Sequence, residues 1–407
     1  MPSNYKPIGD YIRLVDERNK DLKVETLLGL TIFKQFIPSV ANIIGTDMAN
    51  YKIIRKNQFA CSTMQVRRDK KMPVALLSEL DEAIISQAYP VFEIKDTEIL
   101  LPEYLMMWFT RAEFDREACF YAIGGVRGSL EWEDFCNMQL PVPPIEKQKE
   151  IVAEYNKIQN RIALNNSLIQ KLEETAQAIY KQWFVDFEFP NEEGKAYRSN
   201  GGVMVESEMG MVPEGWKVRK IGDYAKVKSG FAFKSEWWQS IGVPVIKIGS
   251  IQNNTIDYST IDYISEENSK VASNYAATIG NIVIAMTGAT FGKVAIVPDI
   301  FENTFVNQRV GLFDTGCSQV EKTAFLYYSL RKDEFYNEIT NVGGDSAQAN
   351  VSNVDIENIT LLLPDNILLD KFNHWGKQSL VYILDKVKEN HYLGKMKELL
   401  LAKMAKK

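Results

Sequence analysis

At 407 residues the chain exceeds one ordinary core, and roughly 100–200 residues per domain predicts two or three domains. With 45% hydrophobic and 25% charged residues it has an average globular composition, which excludes wholesale disorder, a collagen-like repeat or a disulfide scaffold. The net charge of −6 does not advertise a nucleic-acid binder, but a local basic surface can dock DNA inside an acidic protein.

By segment, residues 1–143 and 217–364 each carry −3, 144–187 balance at 0, 188–216 carry −4 and 365–407 carry +4. No window of roughly 18 apolar residues predicts a membrane helix. The opening MPSNYKPIGDYIRLVDERNK lacks the basic-then-apolar order of a secretory leader, and Cys61, Cys119, Cys136 and Cys317 show no C-x-x-C spacing, so a reducing cytoplasm is expected.

In chain order, residues 1–143 form a first domain. Its short apolar, β-branched runs at 58–63 and 74–77 predict strands, and an amphipathic pattern over 102–118 predicts a helix. Residues 144–187 form a long helix. Ile151, Tyr155, Ile158, Ile162, Asn165, Ile169, Leu172, Ala176, Ile179 and Trp183 advance by steps of four and three, a heptad seam with one polar residue that would set register at a cost in stability.

Residues 188–216, acidic and Gly-rich with no period, predict a connector. A second domain spans 217–364, with strands at 245–248, 281–286 and 293–297 and a helix over 322–339. Residues 365–407 close the chain as a second long helix, whose apolar stripe includes Leu380, Ile383, Val387 and Asn390. The economical arrangement of the two long helices is an antiparallel coiled coil; the alternative is that each packs on its own domain.

The two halves repeat. Ile8-Gly9-Asp10-Tyr11 recurs as Ile221-Gly222-Asp223-Tyr224, Val74-Ala75-Leu76-Leu77 faces Val294-Ala295-Ile296-Val297, Phe92 faces Phe313, Phe114 faces Phe335, and 130–143 faces 351–364. A repeat of this size is a duplicated domain rather than a solenoid unit. The predicted fold is therefore mixed α/β globular domains, duplicated and joined by two long helices.

These residues resemble the specificity subunit of type I restriction-modification enzymes, over essentially the whole chain. The resemblance rests on four features: the domain-plus-helix duplication; Trp183-Phe184-Val185-Asp186-Phe187 followed by Val212-Pro213-Glu214-Gly215-Trp216; Pro141-Val142-Pro143-Pro144 opening a helix rich in Gln, Lys and Glu; and Gly343-Gly344-Asp345-Ser346-Ala347-Gln348-Ala349-Asn350 before the last strand. It implies two target recognition domains, each reading half of a split site in double-stranded DNA, with the coiled coil as a ruler. It also implies two modification subunits carrying S-adenosylmethionine chemistry, and restriction subunits using ATP and Mg for cleavage, with no cofactor in this chain.

If the domains read DNA, Arg or Lys toward guanine, Asn or Gln toward adenine, and further basic groups toward phosphate are the useful side chains. The leading candidates are Gln65, Arg67, Arg68, Lys70 and Lys71, between two predicted strands, and their counterparts Thr287 and Lys293; a solvated loop tip accounts for the same residues. Arg127 aligns with the loop holding Ser346, Gln348 and Asn350, where a plain turn explains Gly124 and Gly125 equally well. Gln87, Gln308 and Arg309 sit in predicted extended segments, where a buried hydrogen bond competes with base contact.

No catalytic or metal constellation emerges. The run from Gly288 to Val294 is one residue short of a phosphate loop and has Val where Mg would meet Ser or Thr. Asp186 with Glu193 and Lys195 has no strand scaffold to hold a metal, and His374 and His391 lie too far apart on one helix to share one. The chain is expected to be non-catalytic, and its partner interface is expected along the helix residues named above. A coiled-coil scaffold that does not bind DNA is the competing reading.

Overall fold

The computed structural model describes residues 5–39, 46–124, 128–252, 254–316, 320–344 and 349–405. Two compact units result, one formed by Met1–Arg161 with Leu393–Lys407, the other by Ile162–Tyr392.

In the first unit, four antiparallel strands lie in the order Ile12–Val15, Val91–Ile94, Phe59–Cys61 and Val74–Leu76. Ala60 and Val91 face one apolar cluster with Leu28, Ile54 and Ile85. Phe59 and Phe92 stack on the opposite face, 4.9 Å apart, against Phe109. Burial on both faces is why these strands read as continuous apolar runs rather than alternating ones. Two further antiparallel pairs accompany the sheet, the non-consecutive strands Lys52–Arg55 with Glu82–Ile85 and the hairpin Leu28–Leu30 with Phe36–Pro38.

The second unit repeats the plan. Lys226–Ser229, Val310–Asp314, Ile282–Ala285 and Val294–Ile296 form its antiparallel sheet. Ile282 and Ile284 point to a cluster containing Phe325 and Phe372, and Val283 and Ala285 to one containing Ile246 and Leu312. A second sheet, Asp262–Ile264, Val243–Ile246, Thr304–Val306 and Ala276–Ala277, includes one parallel pair.

The repeated Ile-Gly-Asp-Tyr has a physical reason. Each copy follows a strand that pairs with the end of its own domain, Tyr5–Pro7 with Gln139–Pro141 and Lys217–Lys220 with Thr360–Leu363. A Cβ on Gly9 would sit 2.8 Å from that of Cys136, and one on Gly222 would sit 2.9 Å from that of Glu357, so only glycine admits the neighbouring helix.

The single helices predicted over 102–118 and 322–339 are each two. Pro102–Phe109 gives way to Ala112–Tyr121, and Thr323–Ser329 to Asp333–Gly343. Arg111 and Lys332 adopt extended backbone as caps of the second helices. The turn keeps Phe114 and Phe335 on the core side, so the apolar spacing carries through the break and conceals it.

The connector also differs from its composition. Met204–Ser207 and Gly210–Pro213 form an antiparallel hairpin, and buried Phe189 stacks on Tyr197 at 4.5 Å and Trp216 at 5.4 Å. Scattered aromatics anchor a segment whose average is polar.

Both long helices form, Ile145–Phe184 and Asn366–Lys403. Gln148, fully buried, pins the start of the first: its Oε1 accepts from Leu101 N at 2.9 Å and its Nε2 donates to the Ile99 and Pro143 carbonyls. Within the second unit the helices run antiparallel, with Trp183 against Phe372 at 5.7 Å and Asn165 Nδ2 donating to Asn390 Oδ1 at 2.9 Å. All the predicted seam residues are buried or half-buried. Toward residue 184 the helix also packs on the second unit's core through Ala176, Tyr180 and Phe184, with Tyr180 hydrogen-bonded to Ser329 at 2.8 Å.

Candidate nucleic-acid interface

Phe59–Cys61 and Val74–Leu76 form the predicted hairpin, with Phe59 opposite Leu76. Its tip is not a slack loop: Val66–Asp69 make one helical turn, bracketed by Gln65 and Lys70 at φ 63° and 52°. Val66 and Met72 are fully buried, so the tip is plugged into the domain while Arg67, Arg68 and Lys70 remain exposed. Arg67 Nη1 donates to the Gly124 carbonyl at 3.3 Å, and a Cβ on Gly128 would lie 2.8 Å from that of Arg67. Arg68 Nε pairs with Asp69 Oδ1 at 2.7 Å; this hydrogen bond raises the Arg68 pKa and lowers that of Asp69, so an incoming phosphate competes with a carboxylate for this guanidinium.

Beneath the tip lies a buried ion pair. Lys34 Nζ donates to Asp115 Oδ1 at 2.8 Å and to the Phe109 carbonyl, and the same Asp115 oxygen accepts from Met72 N at 3.1 Å. Burial pushes the Lys34 pKa down, opposed by the Asp115 charge beside it. Two separate hairpins are thus tied to one carboxylate on the helix Ala112–Tyr121.

The second unit offers the counterpart between Ile282–Ala285 and Val294–Ile296. Thr287 forms a bridge with Asn350, and its Oγ1 donates to the Ala349 carbonyl at 2.9 Å. The joint between tip and following loop is built alike in both units: Leu130 N donates to the Thr63 carbonyl at 2.9 Å, and Val351 N to the Met286 carbonyl at 3.1 Å. Lys293 is half-buried, its Nζ 3.5 Å from Gln252 Oε1. Arg309 is an exposed cation at this joint, its Nη1 3.5 Å from Asn350 Oδ1.

The structure therefore brings Thr287, Asn350 and Arg309 together and sets Arg67 beside Gly124 and Gly128. Arg127, Ser346 and Gln348 lie outside the described residues. Gln87 and Gln308 are exposed at turns rather than buried in extended segments. The signal for Arg309 was its position beside Gln308 in a predicted extended segment, but nothing in the local sequence pairs it with Asn350, which lies 41 residues away.

Among the described residues no group of three or more His, Cys, Asp and Glu converges to hold a metal. No helix among them is long and apolar enough to cross a membrane. Within the second unit a cleft of about 1000 Å³ is lined by both long helices, including Ile169, Ile383 and Val387. At its wall Arg331 pairs with Glu173, and burial pushes the Arg331 pKa down to about 10.

Residues 37–174 and 213–393 match the model of the type I restriction modification DNA specificity domain. The type I restriction enzyme MjaVIII specificity subunit of Methanocaldococcus jannaschii is 28% identical over 233 residues, covering 56% of this chain and 52% of that protein. The MjaIX specificity subunit of the same organism is 25% identical over 310 residues, 75% of this chain and 68% of that protein. The chain thus spans about half the length of the first of these relatives and two thirds of the second. In fold it is similar to the crystal structure of a type I restriction-modification system S subunit from M. genitalium, with a TM-score of 0.57 at 15% identity over 98% of this chain and 95% of that one.

Proposed function

The chain belongs to the type I restriction-modification DNA specificity family, and from that premise we propose that each of its units reads one half of a split, asymmetric duplex site while the paired helices fix the gap. The observation that carries this reading is the joint between hairpin tip and following loop, built twice from different residues. The duplicated backbone supplies the same approach to a groove. The divergent side chains, Arg67 and Arg68 in one unit and Thr287, Arg309 and Asn350 in the other, supply different base preferences.

The chain does no bond chemistry in this reading. Two modification subunits carry S-adenosylmethionine and methylate adenine in the site, and restriction subunits, where present, use ATP and Mg to cut. The helix pair and the cleft lined by Ile169, Ile383 and Val387 receive the modification subunits. An acidic chain gains little from bulk electrostatics, so tight binding requires those partners to close around the duplex.

The test is long-read methylation profiling of a methylation-free host expressing this chain with a modification gene, beside a host lacking the chain. A new methyladenine signal at one split, asymmetric motif is the expected outcome. A stable complex that yields no motif would instead favour a scaffold that does not bind DNA.

A further inference from the structure

The hairpin Leu28–Leu30 with Phe36–Pro38 turns Leu28, Leu30 and Phe36 toward the core but leaves Phe33 at its tip 70% exposed. A single exposed ring is ordinary on a protein surface; what distinguishes Phe33 is its attachment to the basic hairpin tip. This turn is rigid because Lys34, next in the chain at φ 62°, is buried and donates to Asp115 and the Phe109 carbonyl. Since Asp115 also accepts from Met72 N, the carboxylate that fixes Phe33 also fixes the basic hairpin tip. The two elements meet at the surface as well, where Lys71 Nζ lies 5.2 Å from the centre of the Phe33 ring.

We propose that Phe33 is a specificity-determining DNA contact of the first unit, its ring against a base edge bearing a thymine methyl, with Lys71 on the adjacent phosphate. The inference rests on the reading that the 62–73 tip meets DNA. It adds a loop that lies outside that tip and presents an exposed apolar ring at its apex, two residues before the exposed Gln35. An apolar ring discriminates thymine from cytosine by its methyl group, and a cation held over the ring's face is placed to neutralise the neighbouring phosphate.

The experiment uses the full chain assembled with its modification subunits, binding a duplex that carries the methylated motif over a range of salt. Phe33→Ala should weaken binding about tenfold without changing the salt slope, and should relax the motif at one position of a single half-site. Lys71→Ala should reduce the salt slope by about one while leaving the motif unchanged. Phe33→Leu should recover part of the loss. The exposed ring predicts an unchanged melting temperature for Phe33→Ala, so a fall in Tm that accounts for the lost binding would overturn the proposal.

Arg67→Ala/Arg68→Ala separates the two levels of inference. If that variant is impaired and Phe33→Ala keeps wild-type affinity and motif, Phe33 does not touch DNA. If both bind as wild type, the assignment of the tip itself fails.

Discussion

A lysine inside a protein is retained only when its charge has a partner, and Lys34 has Asp115 at 2.8 Å with both side chains almost fully covered. Removing one member leaves the other charge buried and alone. Lys34→Met should therefore cost about 3–5 kcal/mol in chemical denaturation of the full chain, and adding Asp115→Leu should recover much of that loss. Additive losses would show that the two groups do not act as a pair. At the recognition tips, Arg67→Ala/Arg68→Ala should degrade one half of the methylated motif and Lys293→Ala the other, as read by methylation profiling. Equal damage to both halves by either variant would rule out two independent readers. Of the two, Lys293 should have the smaller effect, because it is half-buried against Gln252 whereas Arg67 is exposed.

At the scale of elements, the helix pair is held by rings at one end and by amides partway along its length. Trp183 and Phe184 pack on Phe372, while Asn165 bonds Asn390, whose own amide donates to Asn166 at 2.8 Å. A buried amide pair costs stability relative to leucine but penalises every shifted register, because a slipped helix leaves the amides without partners. Asn165→Leu/Asn390→Leu should accordingly raise the Tm, and disulfide crosslinking between cysteines placed on the two helices around the amide pair, away from the aromatic end, should then report more than one register. A lower Tm with a single register would mean that the amides stabilise the pair outright. The aromatic end cannot slip in this way, since Tyr180 and Phe184 are also embedded in the second unit's core.

For the whole molecule, duplication makes the two readers equivalent in plan, and the helices connect them through the chain. One heptad is about 10.5 Å of helix, on the order of three base pairs at 3.4 Å each. Inserting a heptad into both helices should lengthen the gap in the methylated motif and leave its two halves unchanged. An unchanged gap in a stable complex would count against the helices as a ruler.

The duplication, the strands around Ala60 and Val283, the heptad seam and the class of function were legible in the sequence because each rests on local pattern or on order along the chain. The breaks at Arg111 and Lys332 were not, because the apolar period continues through them. Nor was the ordered connector, whose stability comes from Phe189 meeting Trp216 across a polar stretch. The composition of the tip, from Gln65 to Lys71, marked it as a candidate, but only the folded chain decided which cations are free. It set Arg68 against Asp69, turned Lys293 to Gln252, and exposed Phe33 by burying Lys34 beside it. Periodicity registers which face of an element is apolar; the pairing of charges far apart in the chain depends on distances that only tertiary packing sets.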